Sequence, residues 1–248
     1  MRLFVIPGHG AGDPGACGNG YSEAERVRAL ATKIKQYGGS YVKLADFSRN
    51  YYEDAGICSL DLPDDYQIVE LHMDSGVPTA HGGHVIIQEG IGGADQYDRN
   101  LAKAISNLFP GRAEIIVERG DLANPGRAAA KGYGYRLIEN GFISNAGDVK
   151  TFNAKIDELA IAYLKAFGIT PSLKDDVYTV TASKVQVRTA RKNTSKLMTT
   201  LRKGDKVRLK DIKKNKAGNA WGEISSGAFK GCFVLVKTVT GKSRLKKG

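Results

Sequence analysis

The sequence predicts an α/β domain with a largely parallel sheet, followed by a small all-β domain. Short apolar runs alternate with amphipathic segments over the first two-thirds of the 248 residues, and short alternating segments separated by Gly and Asn fill the rest. Residues 1–175 carry 18 Lys and Arg against 22 Asp and Glu, a net charge of −4, whereas residues 176–248 carry 19 against 4, a net charge of +15. We expect domains at 1–168 and 177–248, joined by a linker at 169–176.

Five apolar runs in the first domain predict buried strands, and three amphipathic stretches between and after them predict helices. Strands that alternate with helices are typical of a parallel sheet in layers with helices. The strand segments are LFVI before His9, YQIVEL before His72, HVIIQ, EIIVE, and YRLIE ending at Glu139. The helical positions are Val27, Leu30, Ala31 and Ile34, then Leu101, Ile105 and Leu108, then Phe152, Ile156, Leu159, Tyr163 and Phe167.

The first helix has a distinct start signal. Ser22 followed three residues later by Glu25 is a capping-box pattern, which places Glu23 in the first helical turn. The helix dipole favours an ionised carboxylate there, the form that a metal ligand needs. Because Glu25 already has a role at the cap, Glu23 is the preferred ligand of the two.

The last apolar helix ends near Gly168, and the Pro, Ser and mixed charges of ITPSLKDDV indicate a linker. The segments after it predict a small barrel or sandwich of strands. These segments are VYTVTA, KVQVR, KVRLKDI, WGEIS and CFVLV.

Charge and hydropathy limit the location and the partners. The N-terminal MRLFVIPGHG lacks the apolar core and cleavage site of a secretory signal, and no stretch approaches the roughly 18 apolar residues of a membrane span. We expect production in the cytoplasm without a signal peptide, and no membrane partner.

The basic tail predicts a polyanionic partner, and composition alone leaves nucleic acid, membrane surface and acidic wall polymer open. Few aromatic residues and no nucleic-acid motif make nucleic acid the weaker candidate.

Four residues are candidates for a metal-dependent hydrolytic site. His9, His72 and Glu139 come at or just after the ends of strand-like runs, and Glu23 opens a helix, so that all four can converge on one rim of the sheet. Two imidazoles and a carboxylate are suitable ligands for Zn²⁺, and an unligated carboxylate can act first as base and then as acid. Considered alone, the position of each histidine is also explained by a hydrogen-bonded residue at the rim of the sheet that binds no metal.

Three sequence segments give further support to the hypothesis of a metal site. PGHGAGDPGACGNGYSEAE, ELHMDSG and RLIENGFISNAGD resemble the signature segments of the zinc-dependent N-acetylmuramoyl-L-alanine amidases, in order and spacing, over about residues 1–168. The resemblance implies that His9, Glu23 and His72 bind zinc and that Glu139 is catalytic. It implies hydrolysis of the amide between N-acetylmuramic acid and L-alanine in peptidoglycan. It also implies a fold with a twisted, mainly parallel sheet flanked by helices.

Two positions depart from the family pattern. Asp74 stands where the family usually has Asn, and Ala11 replaces the second Gly of a pair, which leaves fine substrate preference open. His81 and His84 in AHGGH are either a second metal pair or, as their glycine-rich flanks favour, part of a mobile solvated loop. Glu118 and Asp121 either line the cleft near Glu139 or are solvated surface residues.

The basic tail has its own resemblance. VQVRTA, LRKGDKVRL, NAWGEI and GAFKGCFVLV are similar to the bacterial SH3-like domains that attach hydrolases to peptidoglycan. Trp221 either stacks on a ligand or belongs to the core. The positively charged residues of the tail either bind anionic wall polymers such as teichoic acids or form a solvated basic face. The sequence leaves the oligomeric state open.

The sequence therefore predicts an amidase that acts on the cell wall after release, as a phage endolysin or an autolysin. A zinc peptidase that cuts within the stem peptide, and a non-catalytic wall- or polyanion-binding protein, are the alternatives.

Overall fold

A computed structural model describes residues 1–10, 12–172 and 176–248. The chain divides into two compact units, Met1–Ser172 and Leu173–Gly248. The predicted linker at 169–176 spans this division, and its residues 173–175 lie outside the described part of the chain.

A six-stranded sheet forms the centre of the first unit. The strand order is β4-β1-β5-β8-β6-β7, and every neighbouring pair is parallel except β8 and β6. The mostly parallel sheet is therefore confirmed, although β6 and β7 at one edge run opposite to the other four strands. The strands of this unit, including a short hairpin of β2 and β3, are β1 Arg2–Pro7, β2 Cys17–Gly18, β3 Tyr21–Ser22, β4 Val42–Leu44, β5 Tyr66–Asp74, β6 His84–Gln88, β7 Ile116–Arg119 and β8 Tyr135–Phe142.

Four α-helices in the described residues of this unit cover the sheet. They are α1 Glu23–Gly38, α2 Gln96–Leu108, α3 Ala123–Ala130 and α4 Ala146–Ala166. Alternate strand residues face opposite sides, so that Leu3 and Val5 pack with α1, α2 and α4, while Phe4 and Ile6 pack with α3 and the loops that follow β4. The side that carries α3 also carries the candidate site.

The first helix begins where its cap predicts. Ser22 is the N-cap, and its hydroxyl accepts a hydrogen bond of 3.3 Å from the backbone N–H of Glu25. The reciprocal half of the predicted capping box is absent, because the Glu25 carboxylate pairs with the Arg26 guanidinium instead. Glu23 is therefore the first residue of α1, as expected.

The second unit is a seven-stranded antiparallel sheet in the order β11-β10-β14-β13-β12-β9-β15. This confirms the all-β prediction. Valine, leucine and isoleucine side chains from six of these strands form its core. The strands are β9 Asp176–Val180, β10 Lys184–Arg188, β11 Leu197–Arg202, β12 Lys206–Lys214, β13 Ala220–Ile224, β14 Phe233–Lys237 and β15 Leu245–Lys247.

Of the helices in the described residues, none has the length and apolar character needed to cross a membrane.

Candidate metal centre

Three residues predicted from the sequence meet at the end of the sheet. His9 follows β1, Glu23 opens α1 and His72 lies in β5, and their candidate ligand atoms lie within 4.8 Å of one another. Nε2 of His9 is 3.0 Å from Oε1 of Glu23, and Nδ1 of His72 is 2.9 Å from the same oxygen. Two imidazole nitrogens thus converge on one carboxylate oxygen, which is the arrangement that a shared cation would require.

The outer nitrogen of each imidazole meets a second carboxylate. Nδ1 of His9 is 2.8 Å from Oδ2 of Asp13, and Nε2 of His72 is 3.1 Å from Oε1 of Glu70. A carboxylate that accepts the outer N–H keeps the proton there and leaves the inner nitrogen free for a metal. The donor set and its supporting carboxylates therefore fit Zn²⁺.

Glu70 and Asp13 are site residues that the sequence interpretation missed. Glu70 also accepts hydrogen bonds from Tyr135 Oη at 2.5 Å and from Asn124 Nδ2 at 2.9 Å, so its position is fixed on three sides. A signal was present in the sequence, because Glu70 precedes His72 by two residues on a strand and must share its face.

Charge within the cluster is balanced between acids and histidines. Burial alone would raise the pKa of Glu23, but its hydrogen bonds to His72 and His9 outweigh burial and hold that pKa well below its usual range. Burial opposes the charged form of His72, yet Glu23 and Glu70 raise its pKa well above the ordinary value. Glu23 is consequently anionic at neutral pH, the state in which it can ligate a cation. The side chain of Glu23 is 5% exposed and that of Glu25 is 56% exposed, so only Glu23 reaches the site.

Close backbone packing holds the two histidines. His9 has a φ of +61°, a left-handed conformation that non-glycine residues rarely adopt, and its carbonyl accepts a hydrogen bond of 2.9 Å from Arg28. A Cβ added at Gly8 would lie 2.3 Å from Cε1 of His72, and one added at Gly15 would lie 2.6 Å from Cδ2 of His9. Glycine at these two positions leaves space for the rings.

Glu139 lies beside the cluster. It is the cross-strand partner of His72 in the parallel pair β5–β8, and both line a cavity of about 410 Å³ together with His9 and Glu70. Oε2 of Glu139 is buried and has no hydrogen-bond partner among the described residues. Burial raises the pKa of Glu139 to about 8, and the negative charges of Asp74 and Glu23 act in the same direction against the opposing effect of His72. An unpaired carboxyl with a raised pKa is suited to take and return a proton.

A β-bulge follows directly after this pair. The register changes from His72 opposite Glu139 to Asp74 opposite Phe142, so β8 has one residue more than β5 at this point. Gly141 has a φ of +79° there, and the side chain of Asn140 donates to the carbonyl of His72 at 3.0 Å. The bulge thereby fixes the backbone that carries both site residues.

The two histidines of the second pair have different surroundings, and only His81 is exposed. His84 is 3% exposed at the start of β6, and its Nε2 accepts a hydrogen bond of 3.1 Å from Arg112, so the loop interpretation is wrong for this residue. Burial, and then the neighbouring charge of Arg112, lower the pKa of His84 to about 4. His81 is exposed, and its Nδ1 lies 2.9 Å from the carbonyl of Pro110.

The remaining sequence candidates have separate positions. Arg119 lines the cavity, and its guanidinium donates a 2.9 Å hydrogen bond to Asp121, whereas neither Asp121 nor Glu118 is part of the described cavity wall. Asp74 is half-buried and lies 3.9 Å from Arg112. Ala11 lies outside the described residues.

Comparison with known proteins identifies the family of the first unit. A family model described as N-acetylmuramoyl-L-alanine amidase matches residues 3–170. The chain belongs to the N-acetylmuramoyl-L-alanine amidase family. Amidases of this family are generally zinc-dependent, in keeping with the donor set of His9, Glu23 and His72.

Individual proteins are similar to this chain in sequence or in fold. "Probable autolysin PH" of Staphylococcus aureus is 30% identical over an alignment of 175 residues, which covers 63% of this chain and 36% of that protein, so the match spans about a third of the curated relative. An amidase from Mycobacterium smegmatis has the same fold with a TM-score of 0.56 and 19% identity, over 67% of this chain and 94% of that one. The catalytic domain of an endolysin targeting Clostridia difficile has a TM-score of 0.52 and 14% identity, over 67% and 96%.

Proposed function

We propose that this chain is a zinc-dependent amidase that hydrolyses the bond between N-acetylmuramic acid and L-alanine in bacterial peptidoglycan. The observation that carries the proposal is the convergence of His9 and His72 on Glu23, with Glu139 in the same cavity. His9, Glu23 and His72 would hold Zn²⁺, and Glu139 would be the catalytic acid and base. Family membership supports the bond that is cut.

The proposed mechanism divides the work among the residues of the cavity. Zn²⁺, when bound, supplies a Lewis acid for the scissile carbonyl and the attacking water, and its charge favours the ionised form of Glu139. Glu139 takes a proton from the water and passes it to the leaving nitrogen of L-alanine. Asp13 and Glu70 hold the outer N–H groups of His9 and His72, so that both rings keep their orientation during turnover.

The test is the Glu139→Gln variant. This change preserves the size of the side chain and removes its ability to exchange a proton. We expect hydrolysis of purified walls to fall by two or more orders of magnitude, about 10²–10⁴-fold, while the bound zinc per chain stays at the wild-type level. Glu114→Gln, at an exposed site outside the cavity, is the matched control. Full activity of Glu139→Gln would reject Glu139 as the catalytic base and favour a different catalytic residue.

Product analysis separates the amidase from the peptidase alternative. An amidase releases intact stem peptides with a free L-alanine amine, whereas a peptidase leaves part of the peptide on the glycan. Mass spectrometry of digested walls identifies the new chain ends directly.

We also propose that the second unit is an SH3-like wall-binding domain, and that the protein acts in lysis as an autolysin or a phage endolysin. The antiparallel sheet and the net charge of +15 over residues 176–248 support attachment to the wall, including anionic polymers such as teichoic acids. The autolysin relative and the endolysin fold similarity support the role in lysis. The test compares sedimentation with purified walls for the full chain and for residues 1–172. Equal sedimentation of the two forms would reject the targeting role.

A further inference from the structure

A second candidate binding site lies in the antiparallel unit, around Trp221. This residue is 1% exposed and is one of the largest fully buried side chains of the described residues. It lies opposite Leu235 of β14, which packs against the apolar cluster of this unit, and on the face of β13 opposite Ile224. The indole Nε1 is buried without a hydrogen-bond partner among the described residues, and this needs an explanation that core packing does not give.

The explanation that we favour is a ligand cavity. Trp221 and Leu235 line a cavity of about 360 Å³ together with Gln186, Asn193, Lys184 and Arg244. The indole Nε1 of Trp221 and the Nε of Arg244 are both buried, and neither has a hydrogen-bond partner among the described residues. Buried donors without partners are costly, so a ligand that accepts from them gains affinity.

The described wall of this cavity offers donors and no acid. Arg188 donates to the side-chain oxygen of Gln186 at 2.5 Å, which leaves the amide nitrogen of Gln186 as the group available to a ligand. Lys184 and Arg244 form no ion pair with any residue that the structure describes. An acceptor with negative charge is the complement of this set.

The acids of residues 176–248 are engaged elsewhere. Asp176 pairs with Lys247 at 2.7 Å, Asp211 with Arg191 at 2.7 Å, and Glu223 with Lys210 at 3.2 Å. Asp205 accepts a hydrogen bond of 2.8 Å from the backbone of Arg202. Lys184 and Arg244 at the Trp221 cavity are therefore available to a negatively charged ligand, because the four acids of residues 176–248 are bound to other groups.

We propose that the Trp221 cavity binds the terminal carboxylate of a short peptide that ends in a small apolar residue. The carboxylate would accept from Trp221 Nε1, Arg244 and Lys184, and the apolar side chain would rest on Leu235 and Val185. A polyol phosphate has no apolar group for this wall, so a peptide end is the better fit. This assignment rests on the proposed action on peptidoglycan, whose stem peptides provide such ends.

The single tryptophan of the chain makes the site directly observable. In the full-length ¹⁵N-labelled protein, the indole N–H gives one resonance, and we expect N-acetyl-Ala-Ala to shift it saturably. The same dipeptide with an amide in place of the carboxylate should leave it unmoved. Lys184→Gln should weaken binding about tenfold or more, the typical loss for one charge-assisted hydrogen bond, and Arg244→Gln should do the same. Lys230→Gln, an exposed lysine outside the cavity, should bind as the wild type does.

Several outcomes would overturn the proposal. These are the absence of a saturable shift with N-acetyl-Ala-Ala, an equal shift with the amide, or unchanged binding by Lys184→Gln. A shift by glycerol phosphate alone would assign the cavity to a phosphate polymer instead. Glu139→Gln should bind the dipeptide as the wild type does, so a failure of this site is distinguishable from a failure of the proposed catalytic centre.

Discussion

Glu70 lies two residues before His72 on the same face of β5, and its Oε1 is 3.1 Å from Nε2 of that histidine. This carboxylate does not reach the inner nitrogen of His72, which faces Glu23. It fixes the ring and the position of one proton, and its own position is fixed by Tyr135 and Asn124. The affinity of the site for zinc should therefore depend on a residue that would not contact the metal.

Glu70→Gln should lower zinc affinity about 10–100-fold, because a neutral amide holds the outer N–H of His72 less strongly than a carboxylate does. Competition with a chromophoric chelator measures this affinity. Glu114→Gln, an exposed residue away from the centre, serves as the control. Affinity at the wild-type level would show that Glu70 has only a structural role.

Gly8→Ala should damage the same centre by a steric route. The added methyl would lie 2.3 Å from the ring of His72, so the ring or the backbone has to move. We expect a loss of about 1–3 kcal/mol in the free energy of unfolding, together with weaker zinc binding. Denaturant titration and chelator competition test the two effects. Gly76→Ala, where the nearest atom to the added Cβ is 3.5 Å away, should change neither.

Zinc should stabilise the folded protein through Glu23. At a free zinc concentration of 100 times Kd, a ligand that binds only the folded state adds about 2.7 kcal/mol. We expect calorimetry to show a rise in Tm with zinc for the wild type and little rise for Glu23→Gln. Glu25→Gln, two residues along the same helix but exposed, should keep the wild-type response. An equal zinc response in both variants would exclude Glu23 as a ligand.

Acid should destabilise the fold through His84. Burial lowers the pKa of His84 to about 4, below the value of about 6.5 in an unfolded chain, so the unfolded state binds the proton first. The part of the unfolding free energy that depends on neutral His84 is fully present above pH 6.5. It is lost as the pH falls toward 4, and the loss is at most about 3 kcal/mol. His84→Gln should flatten the dependence of unfolding free energy on pH over this window relative to the wild type. Parallel curves for the two proteins would contradict the burial argument. His81→Gln, at an exposed histidine, is the control.

Local sequence signals predicted the elements that position the site. The apolar run HVIIQ matches β6 at His84–Gln88, and the Ser22 cap places Glu23 at the first position of α1. Because strands that run parallel end on the same side of a sheet, the order of the runs that carry His72 and Glu139 predicted that the two residues meet. Neither residue is at the end of its strand, because β5 continues to Asp74 and β8 to Phe142. Hydrophobic period and capping are local properties, and they can be seen in one sequence.

Features that depend on tertiary contacts were missed. Helix α3 contains Pro125 and Gly126, which weaken helix propensity, and it is held by the burial of Ala128 against the sheet and by the bonds of Asn124 to Glu70. Strand β15 is rich in lysine and exists through its pairing with β9. The reversed direction of β6 and β7 and the carboxylates behind the histidines likewise depend on neighbours distant in sequence.

The β-bulge at Asn140 and Gly141 has a consequence for how this segment can vary. Because β8 has one residue more than β5 between the pairs His72–Glu139 and Asp74–Phe142, deleting one residue there would remove the bulge, and with it the left-handed backbone at Gly141 and the position from which Asn140 donates to the carbonyl of His72. Chain length between these two positions is therefore constrained more tightly than most of the residue identities around it. An insertion or deletion here should abolish activity even where every residue of the metal centre is kept.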